Sequence, residues 1–279
     1  MSNAGGRRWR LVIGAMCILL AILAAVAAYK MPDGEDAGPK LVLALTTSLP
    51  LQWSEGGIEA DLAEDAEPHP VFVRLSSEYK VQPIDDLRRL KAEGVRMLLL
   101  AQPRALRPAE LVALDSWIRG GGRALVLADP ALQWGSLYPL GDKRRPLFTS
   151  MLSPLLTHWG LELVLPMNED SAFAIRKLGN ANIRTKTPGE WLPHENANDS
   201  AAAVAACRIS AQGFLADCRI GKGRAVLVAD ADFLDTPYWE GRGVRVLSGT
   251  DEFDNIIWLE AALVALHDGG SIFGDFMER

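Results

Sequence analysis

The sequence predicts an α/β fold, a mostly parallel sheet with helices on both faces, and three observations carry that expectation. Apolar runs of strand length alternate with segments of helical periodicity from about residue 40 onward. The runs read as buried strands, which is how a covered parallel sheet presents itself in sequence. Two of them share one design: "GGGRALVLADP" (Gly120–Pro130) and "GKGRAVLVADADF" (Gly221–Phe233) each run Gly-x-Gly-Arg, apolar strand, Ala-Asp.

The elements follow in order. "KLVLALT" (Lys40–Thr46) reads as the first strand and "PVFVRL" (Pro70–Leu75) as the second. "PIDDLRRLKAEG" (Pro83–Gly94) has the signature of a helix, with Pro near its start, acids in its first turn and Gly at its end. "VRMLLLAQP" (Val95–Pro103) is a third strand, and "RPAELVALDSWIRGG" (Arg107–Gly121) a helix whose Leu111, Leu114, Trp117 and Ile118 recur at helical spacing. After the strand Arg123–Pro130 come a helix interrupted near Pro154, the strand "LELVL" (Leu161–Leu165) and a strand in "AFAIRKLG". "TPGEWLPHENANDS" is loop-like by its Pro, Gly, Asn and Asp content. A hairpin around Gln212, the strand Gly223–Phe233 and a helix within Asp251–Gly270 close the pattern.

The first thirty residues differ. Arg7, Arg8 and Arg10 precede "LVIGAMCILLAILAAVAAY" (Leu11–Tyr29), an uncharged run of the length that spans a bilayer as one transmembrane helix. The small residues Ala25–Ala28 also fit a cleavable secretory signal, but the length of the run favours a retained anchor. Either way the arginines hold the amino terminus inside and send the rest across the membrane. The expected organisation is therefore a cytoplasmic tip and anchor over 1–30, a linker over 31–39 and a periplasmic α/β domain over 40–279.

The chain has 29 Lys+Arg and 35 Asp+Glu, a net charge of −6. Four of those bases and none of the acids lie within residues 1–30, which leaves 25 against 35 beyond them, or about −10. That excess disfavours nucleic acid and anionic lipid headgroups as partners. Cys207 and Cys218 flank the expected hairpin, where an oxidising compartment would permit a bridge; two free core thiols are the alternative.

Candidate chemistry gathers at the carboxyl ends of the strands, the edge where open α/β sheets place ligands. Asp129, Asp230 and Asp232 all fall there, and if their strands are neighbours they can converge on a metal ion or a sugar hydroxyl. The competing and favoured reading is that each caps the turn that follows it. Trp53, Trp134 and Trp239 each come soon after a strand end, where a ring can stack on a sugar, anchor a loop or meet another protein. The glycine-rich turns precede strands rather than linking a strand to a helix, so they lack the context of a phosphate loop. No HExxH, Gly-x-Ser-x-Gly or Walker-type sequence occurs, which disfavours metalloprotease, hydrolase and ATPase chemistry, and the residues call for no cofactor.

"AQPRALRPAELVALDSWIRGGGRALVLADP", together with "GKGRAVLVADADFLD" and "DNIIWLEAALVAL", resembles the gliding-motility-type ABC transporter auxiliary proteins, an uncharacterised ABC-type transport family related to the GIFT domain. The resemblance runs over roughly Leu41–Leu266, through structural rather than catalytic motifs. It implies a flavodoxin-like or glutamine-amidotransferase-like α/β domain, but no cysteine stands where an amidotransferase nucleophile would. It also implies a bacterial inner-membrane setting and a permease/ATPase complex as partner. The expected function is thus a non-catalytic binding or scaffold subunit. A carbohydrate-binding domain or metal-dependent enzyme using the three aspartates is the alternative.

Overall fold

The computed structural model describes residues 39–53, 55, 68–167, 173–194, 205–238, 253–270 and 272. The apolar run Leu11–Tyr29 and Trp239 lie outside the described residues. Among those described, no helix is long and apolar enough to cross a membrane.

A seven-stranded sheet organises the unit Leu41–Arg279. Its strands are β1 (Val42–Thr47), β2 (Lys80–Pro83), β3 (Met97–Ala101), β4 (Arg123–Leu127), β9 (Ala206–Ser210), β10 (Leu215–Ile220) and β11 (Gly223–Val228), in the order β2-β1-β3-β4-β11-β10-β9. The first five in that order run parallel, and β10 and β9 complete an antiparallel edge. Of the parallel strands β1, β3, β4 and β11 are mostly buried, and β3 entirely so, whereas β2 at the sheet's edge has no buried residue. Outside this sheet, β5 (Leu161–Val164) pairs with β8 (Glu190–Pro193), and β6 (Phe173–Leu178) with β7 (Ala181–Lys186), both antiparallel.

Four α-helices accompany the strands among the described residues: α1 (Pro70–Glu78), α2 (Pro108–Arg119), α3 (Ser153–His158) and α4 (Asn255–Asp268). The repeated Gly-x-Gly-Arg explains how two of them cover opposite faces. A Cβ on Gly223 would stand 2.0 Å from the Ile118 carbonyl oxygen at the end of α2 and 2.3 Å from that of Gly122, so only glycine lets α2 lie this close. The next residue points the other way. Arg224 donates to the Gly270 carbonyl just past α4, and its neighbour across the sheet, Arg123, donates to the carbonyls of Leu266 and His267 in the last turn of α4. Arg123 thereby meets carbonyls that a helix end leaves without partners.

Three expectations from the sequence are corrected. Pro70–Leu75 is not a strand but the start of α1. His69 caps it by accepting from the Val71 N–H through Nδ1, Pro70 fits the first turn, and Val71 and Leu75 bury one face at i, i+4 spacing. Pro83–Gly94 is not a helix: it holds the end of β2 and one 3-10 turn, Leu87–Arg89. There the Asp86 carboxylate ties down both the N–H and the guanidinium of Arg88, a local alternative to propagating the helix. The stretch read as loop after Thr187 contains β8, because Trp191 is fully buried and draws its neighbours into pairing with β5.

Candidate functional site

β4 and β11 are adjacent and parallel with Leu127 opposite Val228, so Asp129 and Asp230 leave the sheet side by side, followed by Asp232. All three are fully buried. Their hydrogen bonds run to backbone. One oxygen of Asp129 accepts from Ala131 N–H at 2.7 Å, and the other crosses to Ala231 N–H at 3.1 Å. Asp230 accepts from Phe233 N–H and Asp232 from Gln133 N–H, each at 2.7 Å. Asp129 and Asp232 therefore lace the turn after β4 to the turn after β11, while Asp230 caps the turn that follows it.

Asp230 Oδ2 and Asp232 Oδ1 are buried with no hydrogen-bond partner among the described residues. Burial pushes Asp129 up to about 6 against the pull of its N–H donors. It pushes Asp230 well above the ordinary carboxylate range, with repulsion from Asp129 and Asp232 adding to it. Burial and then the Asp129 charge push Asp232 up to about 8. A metal ion bound here would have to displace these protons, because ligation requires the ionised form. Among the described residues no group of three or more His, Cys, Asp and Glu is arranged to hold a metal ion.

The tryptophans separate. Trp134 is 7 % exposed and packs against the His69 ring at 5.4 Å, a placement in keeping with the loop-anchoring reading of that ring. Trp53 is 64 % exposed and lines a cleft of about 390 Å³ beyond the ends of β1 and β2, with Glu55, Asp85, Tyr138 and Arg144. Arg144 lies 4.0 Å over the Tyr138 ring. Cys207 and Cys218 are directly opposed on β9 and β10 and are joined by a disulfide.

The sequence reading passed over Gln102, which holds this edge together. It is fully buried with φ at 39°, a left-handed conformation uncommon outside glycine. Its Nε2 donates to the carbonyls of Asp129 and Leu147, its Oε1 accepts from Asp129 N–H, and its own carbonyl accepts from Ser48. Asn255, the first residue of α4, is likewise buried; it bonds both backbone groups of Arg184 on β7 and the Phe233 carbonyl. Only the Asn at the helix start within the "DNIIWLEAALVAL" motif hinted at it.

Fold and edge together define an α/β domain with an open, mostly parallel sheet whose repeated Gly-x-Gly-Arg and Ala-Asp signatures are structural fasteners. Residues 40–176, just under half of the chain, match the family model described as "ABC-type uncharacterized transport system". No curated protein matches it in sequence. Among solved structures the chain is similar to the mmIFT52 N-terminal domain at 14% identity and a TM-score of 0.48, covering 82% of this chain and 97% of that one. It is also similar to an exo-beta-1,4-mannosidase, Op5Man5 from Opitutaceae bacterium strain TAV5, at 14% identity and a TM-score of 0.46, covering 88% of this chain and 38% of the enzyme. A cytoplasmic protein, STM3548 from Salmonella typhimurium, aligns at 10% identity and a TM-score of 0.41, covering 81% and 98%. Likenesses this distant carry no inference about chemistry.

Proposed function

We propose that this chain is a non-catalytic binding or scaffold subunit of an ABC-type transport system, anchored in the bacterial inner membrane by Leu11–Tyr29, with its flavodoxin-like domain in the periplasm. The single observation that carries the reading is the state of the aspartate edge. Its acids are interior fasteners that bond to backbone, and reactive groups at a working active site need access to substrate instead. The family match over residues 40–176 supports the transport setting. The disulfide supports an oxidising compartment. The test is affinity purification of the tagged full chain from native membranes under mild solubilisation. A multi-span permease and an ATPase are expected to co-purify, and recovery of the chain alone would overturn the proposal.

A further inference from the structure

We propose that the amino-terminal edge of the central sheet is a docking surface for anionic phospholipid headgroups. Cations gather where the parallel strands begin. Lys80 opens β2, Arg96 immediately precedes β3, and Lys91 lies in the turn before it. On the antiparallel side Arg219 of β10 is in register with Arg224 of β11, and Lys222 occupies the turn between them. Lys80, Lys91, Arg96, Arg219 and Lys222 are all exposed.

Two clefts of about 500 Å³ each open along this edge and share Arg123; Lys91 and Arg96 line one, Arg219 and Lys222 the other. Nearby acids are largely engaged: Asp217 by the guanidinium of Arg224, Asp115 by Arg119, and Glu93 by Arg89. Asp268, exposed beside His267, and Glu78, exposed two residues before Lys80, are acids left at the rim. Lys91, Arg96, Arg219 and Lys222 pair with no carboxylate among the described residues.

The net charge of −6 argues against such a partner for the molecule as a whole. Screening limits each charge to about 8 Å in physiological salt, however, so a surface responds to the charges on the facing edge and not to the sum. The partner is assigned as lipid because the chain enters β1 at this same edge, one linker after the apolar run Leu11–Tyr29. That assignment rests on the anchor reading above. The basic edge itself does not.

The full chain is placed in nanodiscs of phosphatidylcholine alone or mixed with phosphatidylglycerol, and lysine acetylation rates are read by mass spectrometry. In the anionic discs Lys80, Lys91 and Lys222 are expected to react several-fold more slowly, with added salt restoring the rate. Lys143, exposed in the loop beyond the opposite end of β4, should not change. The double variant Arg96→Glu, Arg219→Glu is expected to abolish the effect, since each basic side chain near an anionic surface contributes about fivefold in binding. Equal rates in the two discs, equal slowing at Lys143, or the same slowing by inorganic phosphate in phosphatidylcholine discs would each overturn the proposal. A chain that elutes apart from the discs defeats the anchor reading alone. The same labelling with added phosphatidylglycerol vesicles then decides the edge: slowing supports it and unchanged rates refute it.

Discussion

Asp232 and Glu110 are both fully buried acids, and their surroundings drive them in opposite directions. Asp232 is raised to about 8 by burial and the neighbouring Asp129. Burial also pushes Glu110 up, but hydrogen bonds from Arg104 and Arg107 outweigh it and hold the carboxyl at about 2. The signs follow by linkage. An unfolded Asp titrates near 4, so across the range up to about 8 the folded state holds the extra proton at Asp232 and stability falls as pH rises. Glu110 contributes stability above its unfolded pKa that is lost as pH drops towards about 2. The domain should therefore be more resistant to denaturant near pH 5 than near pH 8. Asp232→Asn, which keeps an acceptor for Gln133 N–H, should flatten that slope. Denaturation midpoints across pH decide it, and an unaltered slope in the variant would refute the assignment.

At the scale of elements, glycine placement sets how closely α2 approaches the sheet. Gly223→Ala would drive a Cβ into two backbone carbonyls that no rotamer change can move, with an expected cost of about 3 kcal/mol or more. Gly135→Ala is the control. A Cβ there meets nothing within 4 Å, so its denaturation midpoint should stay close to that of the parent chain. Equal stability of the two variants would show that α2 can shift freely. This scale is also where sequence reading succeeded and failed. β3, β4, β11, α2 and α4 were legible because their apolar period and helix-end glycines agree. α1 was not, because Val71, Phe72 and Val73 favour a strand locally while the His69-Pro70 start and the packing of Val71 and Leu75 favour a helix. A bidentate ion pair from Arg74 to Glu260 then holds α1 against α4, a contact 186 residues away in sequence that no local window contains.

For the whole molecule, the disulfide constrains the unfolded chain. It closes a loop of 11 residues between β9 and β10 at the edge of the sheet, a contribution of about 2–3 kcal/mol by loop-closure entropy. Reduction should lower the denaturation midpoint accordingly, and Cys207→Ser/Cys218→Ser should match the reduced protein. No shift on reduction would mean that the bridge adds no stability.

The sequence by itself determined the alternation of strands and helices, the apolar segment ahead of the domain, the family resemblance and the grouping of acids at strand ends. These depend on local composition and period. Only the tertiary structure decided that β4 and β11 are neighbours, that Asp129 and Asp232 each bond to the backbone of the other's turn, that Trp134 is interior, and that cations from separate strands share one edge. Each of those facts depends on which strands pair and in what register, and pairing between residues a hundred apart leaves no periodic trace along the chain.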